Sequence, residues 1–308
     1  VLEGYLRSKK QSVATQTLYR NANRAFQVFA LEKKMPNSSA AHLDTALDMY
    51  LDHLYFQGED LYTGRLALYG TAWLRSLPTR GTADFPKANA ALAGWRKTAP
   101  EVAKDPLPWE AAVLIAKQMT LEDADDGLHG ARTLLVSFDG YLRPSECLAT
   151  TAADVHLAPR RRPGYSPVAL HIAPSRRDDG GEPAVRTKAG QHDDAVAFGD
   201  AASSTAGRSK IVLLLRHLKF AAPSPSALLF HISLARYETL FRHAARSLNL
   251  GMLKCTPHSA RHGGPSSDYA RGLRRLADIQ KRGHWKVASS VRRYEKSATL
   301  MKQIGLLS

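Results

Sequence analysis

The sequence predicts a mainly α-helical protein that contains one small antiparallel β-sheet. Apolar residues recur at helical spacing through the first hundred residues and again towards the C-terminus. Between these regions, three short runs of β-forming residues are separated by segments rich in Gly, Pro and Arg, as in antiparallel strands joined by loops. A proline-rich stretch, KTAPEVAKDPLP at 97–108, indicates a domain boundary. We therefore expect a helical domain at 1–97, a linker at 98–107 and an α+β domain at 108–308.

Four helices are expected in the first domain. Thr15 and Ser39 are placed to cap the first two, because their hydroxyl oxygens can accept a hydrogen bond from the first turn. Pro78 follows the third, and Gly81 precedes the fourth. The expected ranges are 15–29, 39–54, 60–77 and 85–97.

In the second domain the pattern predicts two helices, then three strands, then helices to the C-terminus. The first two helices are expected near 108–119 and 126–138, and the strands at 154–157, 168–172 and 195–198. Further helices are expected near 209–219 and 234–248. The remaining chain is expected to be helical with breaks at 263–265, Gly272 and Gly283, and Pro265 is expected in a first helical turn.

The large excess of basic side chains indicates what kind of molecule the protein binds. The 308 residues carry 43 basic and 28 acidic side chains, a net charge of +15, which favours a polyanion such as nucleic acid. No apolar run approaches the roughly 20 residues that span a bilayer, and no export signal begins the chain. Cys147 and Cys255 lack the spacing of a metal site or a disulfide framework. We expect an intracellular protein that binds no membrane and has nucleic acid as its candidate partner.

Four segments carry side chains suited to breaking a phosphodiester bond. Without a metal, this reaction needs a nucleophile, cations on the non-bridging oxygens and a proton donor for the leaving oxygen. Arginine forks suit the oxygens. Taken singly, each candidate is more often structural, and a basic run is usually a solvated helix face. The segments are 141–148 with Arg143 and Glu146, 186–198 with Lys188, 257–261 with His258 and Arg261, and 282–294 with His284, Trp285 and Tyr294.

Taken together and in this order, the segments resemble the catalytic domain of the tyrosine recombinase, or phage integrase, family. The resemblance covers about 108–308, whereas the first domain is similar to the family's helical core-binding domain only in kind. Lys188 lies in a Thr-Lys-x-Gly turn, with Lys210 and Arg186 as its alternatives. The catalytic positions that the resemblance assigns are Arg143, Lys188, His258, Arg261, His284 and Tyr294, with Glu146 and Trp285 in support.

The resemblance implies a site-specific recombinase or integrase of a mobile element. Tyr294 would attack a DNA phosphate held by the two arginines and His284, forming a 3′-phosphotyrosyl intermediate. His258 would assist proton transfer from the tyrosine, and Lys188 would protonate the leaving 5′ oxygen. The covalent link retains the bond energy, so no cofactor or metal is expected. The implied partner is double-stranded DNA, bound by a homotetramer on two sites, with a monomer or dimer in free solution.

Three other functions stay open. A catalytically inactive, domesticated DNA-binding relative is favoured by the His284-to-Tyr294 spacing, which is one residue longer than is usual in the family. A topoisomerase-like enzyme of the related fold would relax DNA by the same chemistry. A plain helical nucleic-acid adaptor would leave Arg143 and Lys188 unexplained. Residues 295–308, with apolar side chains at helical spacing, are expected either to dock on a neighbouring subunit or to cap their own core.

Overall fold

A computed structural model describes residues 11–36, 39–75, 84–99, 105–158, 167–175, 192–295 and 297–307. Within these ranges the chain is mainly helical and contains a three-stranded antiparallel sheet, which confirms the predicted class. The chain divides into two units, Val1–Ala103 and Lys104–Ser308, and their boundary lies inside the segment expected to be a linker. No helix in the described ranges is long and apolar enough to cross a membrane.

The first unit is built from helices that share one apolar core. Phe26, Leu47, Leu68 and Trp95 are among its buried members. Ser39 caps the second helix, as predicted, by accepting a hydrogen bond from the His42 amide. The helices are α1 (Val13–Glu32), α2 (Ala40–Phe56), α3 (Leu61–Leu74) and α4 (Pro86–Thr98).

The predicted cap of α1, Thr15, is wrong. The helix begins two residues earlier because the Ser12 hydroxyl oxygen accepts a hydrogen bond from the Thr15 backbone amide at 3.2 Å. Ser12 therefore satisfies a donor of the first turn, and Thr15 lies inside the helix.

The second unit contains the three predicted strands among nine described helices and three 3₁₀ turns. Two short helices, Pro144–Leu148 and Ala201–Thr205, were not predicted. The 3₁₀ turns are Leu250–Leu253, Ala288–Ser290 and Arg292–Glu295. The remaining elements are α5 (Trp109–Glu122), α6 (Asp126–Gly140), α7 (Pro144–Leu148), β1 (Val155–Leu157), β2 (Val168–Ile172), β3 (Asp194–Phe198), α8 (Ala201–Thr205), α9 (Lys210–Ala221), α10 (Leu234–Ser247), α11 (Ser259–Ala270), α12 (Leu276–Arg282) and α13 (Ser297–Gly305).

The sheet has the order β1-β2-β3, with both neighbouring pairs antiparallel. Val168, Leu170 and Ile172 are buried in alternation along β2, so one face of the strand joins the core and packs with α9. A second core joins α5, α6 and α10 around residues such as Phe138. These two cores hold the ends of α6 and β3, from which several candidate site residues project.

Helix α11 passes without a break through 263–265, where a break was predicted. Gly263 and Gly264 do not end the helix because they allow it to approach α6 closely. A Cβ added at Gly263 would lie 2.1 Å from the Leu107 carbonyl oxygen, and one at Gly264 would lie 2.1 Å from that of Phe138. Pro265 lies inside the helix, not in its first turn. Tertiary contact offsets the local cost of glycine and proline.

The other two predicted breaks are confirmed. Helix α11 ends at Ala270, and Gly272 follows with a φ of 67°. Helix α12 ends at Arg282, and Gly283 caps it. The C-terminal helix α13 packs on its own unit: Leu300 is buried, and the Gln303 amide donates to Asp105 at 3.0 Å.

Gly263→Ala is expected to lower the free energy of unfolding of the second unit by about 3 kcal/mol, because the added methyl meets backbone that cannot move aside. Gly251→Ala is the control, since nothing lies within 4 Å of its added Cβ, and it should change stability by less than about 0.5 kcal/mol. Denaturant unfolding followed by circular dichroism measures both. Similar losses in the two variants would contradict the close contact.

Candidate active site

Arg143 is fixed at a sharp turn between two helices. After α6 ends at Gly140, Tyr141 adopts a left-handed conformation with a φ of 55°, and Pro144 begins α7. Arg143 is the residue before this proline. Glu146 accepts a hydrogen bond from the Arg143 backbone amide at 2.9 Å and forms an ion pair with its guanidinium. The side chain of Arg143 remains 23% exposed, so it can contact a ligand.

Arg261, on α11, joins three segments of the candidate site. Its guanidinium donates hydrogen bonds to the carbonyl oxygens of Tyr141 and Gly283 and pairs with Glu146 at 3.3 Å. It also lies over the ring of Trp285, 4.9 Å from the centroid. Burial, together with the nearby Arg143, lowers the pKa of Arg261 to about 10. Arg261 is therefore a buried cation at neutral pH, placed between the residues that the sequence analysis singled out.

His284 lies against the first residue of β3. It follows Gly283 in a left-handed conformation with a φ of 55°, and its Nδ1 lies 3.2 Å from the Asp194 carboxylate. Burial lowers the pKa of His284, although Asp194 opposes the shift. Its Nε2 is buried and has no hydrogen-bond partner within the described residues. A buried polar atom without a hydrogen bond lowers the stability of the folded protein, unless a ligand supplies the missing partner. If the His284 ring takes up a proton, Nε2 can donate a hydrogen bond to a phosphate oxygen.

Tyr294 lies in the 3₁₀ turn Arg292–Glu295 and is only 2% exposed. Its ring packs on Trp285 at a centroid distance of 5.4 Å. Its hydroxyl oxygen lies 3.0 Å from Nδ1 of His262. Burial raises the pKa of Tyr294 above its ordinary value, against the lowering effect of Arg293 and Arg261. Since Arg261 contacts the same Trp285 ring, the longer His284-to-Tyr294 segment still brings the tyrosine to the cluster.

The other predicted residues differ in their placement. His258 directly precedes α11, and its ring packs edge-on against that of His262 at a centroid distance of 5.1 Å. Lys188 and its alternative Arg186 lie outside the described residues, so their placement stays a prediction. Lys210, the other alternative, is exposed at the first residue of α9.

Two contacts of the site were missed by the sequence analysis. His262 meets the tyrosine hydroxyl, and Asp194 meets His284. The available signal for His262 was its position four residues after His258, on the same face of a helix. The sequence signal for Asp194 was weaker: it is the second acidic residue of the His-Asp-Asp run that leads into β3.

A buried network of charges lies behind the Tyr141 turn. Asp268 on α11 accepts a hydrogen bond from the Tyr141 hydroxyl and forms ion pairs with Arg208 and Arg274. Arg208 also pairs with Asp139 on α6 at 3.0 Å. The network thus fixes the end of α6 and the Tyr141 side chain, and the carbonyl oxygen of this tyrosine is the one that Arg261 contacts.

A cavity of about 450 Å³ adjoins His284 and is lined in part by Lys281 and Lys286. Asp193 and Asp194 line the same cavity, so its acidic and basic side chains are balanced. Among the described residues, no group of three or more His, Cys, Asp or Glu side chains is arranged to hold a metal ion.

The fold is similar to that of several solved recombinases. The XerH site-specific recombinase bound to palindromic difH substrate aligns with a TM-score of 0.52 and 15% identity, over 84% of this chain and 69% of that one. A lambda integrase dimer bound to a COC′ core site aligns with a TM-score of 0.52 and 12% identity, over 96% and 75%. This chain has the tyrosine recombinase fold. The Tn1549 transposon integrase in complex with circular intermediate DNA aligns with a TM-score of 0.50 and 11% identity, over 82% and 80%.

No protein-family model and no curated protein matches the sequence. The likeness to tyrosine recombinases therefore concerns the fold. Within this tyrosine recombinase fold, the roles of individual residues are inferred from the contacts around Arg261 and Tyr294.

His284 is expected to make the stability of the protein depend on pH. Because burial lowers its pKa below the ordinary 6.5, the unfolded chain takes up a proton first as the pH falls, and the folded state loses stability. His284→Asn keeps a donor for Asp194 but binds no proton. The wild type should lose more free energy of unfolding than this variant between about pH 7.5 and about pH 5.5.

Denaturant unfolding at the two pH values measures this difference. His217→Asn, which replaces an exposed histidine on α9, is the matched control and should keep the wild-type dependence. An unchanged pH dependence in His284→Asn would contradict the burial of a neutral imidazole.

Proposed function

We propose that this protein is a site-specific DNA recombinase that cleaves and rejoins double-stranded DNA through a 3′-phosphotyrosyl link at Tyr294. The supporting observation is the position of Tyr294 and Arg261 on the same Trp285 ring. A tyrosine and a buried cation thereby contact one indole ring, with Arg143 and His284 held next to the same guanidinium through Glu146 and Gly283.

The scissile phosphate would contact Arg143, Arg261 and His284. Arg143 has the more exposed side chain of the two arginines. Among the residues that the structure describes, none forms a hydrogen bond with the Nε2 of His284. Their charges would offset the negative charge that develops on the non-bridging oxygens as Tyr294 attacks. Glu146 holds the two arginines in place, and Trp285 supports Arg261 from below.

Protons would move at the two bridging oxygens. Lys188 would protonate the leaving 5′ oxygen, and His258 would assist proton transfer from the tyrosine. The free 5′ hydroxyl of a partner strand would then attack the phosphotyrosine and restore the bond. Because Tyr294 is only 2% exposed, the segments that cover it must move aside before a phosphate reaches its hydroxyl oxygen.

The DNA partner is inferred from the solved structures, and the homotetramer from the resemblance of the sequence to the family. XerH and the Tn1549 integrase are described in complex with their DNA, and lambda integrase as a dimer on a core site. By analogy, this chain would bind duplex DNA through its basic surface, with its first unit as the core-binding domain, and would exchange strands as a homotetramer on two sites. The net charge of +15 supports this partner.

Tyr294→Phe is expected to abolish covalent attachment to DNA while leaving DNA binding within about twofold, since the ring and its packing remain. The substrate is a labelled pool of duplexes with a randomised centre and a nick. Cleavage near the nick releases a short strand and traps the adduct. A denaturing gel measures the adduct, and a filter assay measures binding. Wild-type protein without an adduct, or an adduct that persists in the variant, would overturn the proposal.

Arg261→Lys is expected to reduce adduct formation on the order of 100-fold, because an ammonium cannot reproduce the planar set of donors to two carbonyls, Glu146 and a phosphate. Arg292→Lys, at an exposed position in the same basic region, is the matched control and should cleave within about threefold of wild type. Single-turnover adduct formation on sequences recovered from the pool gives both rates. Equal rates would contradict the role of Arg261.

A further inference from the structure

We propose that His262 is the catalytic residue that takes the proton from the Tyr294 hydroxyl. This inference rests on the proposed function and assigns a role that the sequence resemblance gave to His258. The Nδ1 of His262 lies 3.0 Å from the hydroxyl oxygen, within the distance at which a proton is transferred directly.

The position of His262 on α11 explains how it reaches the tyrosine. It directly follows Arg261, so the same helical turn carries the cation that contacts Trp285 and the imidazole that contacts Tyr294. The ring of His262 is buried and lies between two neighbours that fix it, the edge-on ring of His258 and the tilted ring of Tyr294. His258 is therefore placed to orient the acceptor, which makes it a positioning residue.

The tautomer follows from the direction of transfer. The Tyr294 hydroxyl donates, so Nδ1 must carry the lone pair and Nε2 the proton of the neutral ring. As a lone pair of the tyrosine oxygen forms the new bond to phosphorus, the O–H bond breaks and its proton moves to Nδ1. The bond from phosphorus to the 5′ oxygen breaks, and that oxygen takes a proton from the general acid. Rejoining returns the His262 proton to the tyrosine.

Because Tyr294 is buried, its hydroxyl requires a proton acceptor within the protein. Removal from water raises the pKa of the Tyr294 hydroxyl, so the phenolate is scarce at neutral pH and solvent is not at hand to receive the proton. The cations nearby favour the phenolate but accept no proton themselves. The imidazole at hydrogen-bond distance supplies the missing acceptor.

His262→Asn tests the role, because its side-chain amide occupies the position of Nδ1 and retains a hydrogen bond but takes up no proton. DNA binding should stay within about twofold, and single-turnover adduct formation should fall on the order of 100-fold. Replacing Tyr294 with 3,5-difluorotyrosine, whose hydroxyl is far more acidic, should restore at least about tenfold of that loss, since the nucleophile then ionises without a base.

Two comparisons make the test specific. Arg261→Lys should gain nothing from difluorotyrosine, because it loses phosphate contacts and not a proton acceptor. His258→Asn should lose less activity than His262→Asn and gain less from the substitution. Three outcomes would overturn the role of His262. His262→Asn could cleave as fast as the wild type, its loss of activity could remain with difluorotyrosine, or difluorotyrosine could restore activity only in His258→Asn. In each case the wild-type adduct at Tyr294 would still stand, which separates this outcome from failure of the proposed function.

Discussion

The buried guanidinium of Arg261 is the interaction on which the candidate site depends. Segments 120 residues apart meet at its donors, because the carbonyl oxygens of Tyr141 and Gly283 and the carboxylate of Glu146 all converge on it. A buried charge is stabilised only when its donors are satisfied and a counter-charge lies near. Here two carbonyls, one carboxylate and the face of Trp285 meet that condition. The positive charge at the candidate site is thus held in place by the protein's own groups.

A buried network of ion pairs around Asp268 holds the turn that Arg261 contacts. Asp268 receives the hydroxyl of Tyr141 and the guanidinium groups of Arg208 and Arg274. Tyr141 therefore contacts the core with its side chain and Arg261 with its carbonyl oxygen. Contacts of its side chain and of its carbonyl oxygen therefore hold Tyr141 in the left-handed conformation, and they offset the backbone strain of that conformation.

Much of this arrangement was predictable from the sequence. Most helices and the three strands follow from periodicity. The placement of Arg143, Arg261 and Tyr294 in one cluster was expected from the resemblance to the family, and these residues are linked through Glu146 and Trp285. The unbroken course of α11 did not, because Gly263 is a break signal locally and a contact point only against Leu107. His262 was passed over because no pattern tells which of two helical neighbours faces a tyrosine 32 residues away. Lys188 stays a prediction, since it lies outside the described residues.

The glycines of α11 have a consequence for how this protein tolerates change. Backbone meets backbone where Gly263 and Gly264 cross the segments that carry Leu107 and Phe138. The spacing between these segments is consequently set by main-chain atoms, which all sequences share, and not by the volumes of interchangeable side chains. Substitution of aliphatic residues elsewhere in the core therefore leaves this main-chain contact of α11 in place. The position of the candidate site is in this sense set by the main chain of α11 and not by the packing volume of the apolar core.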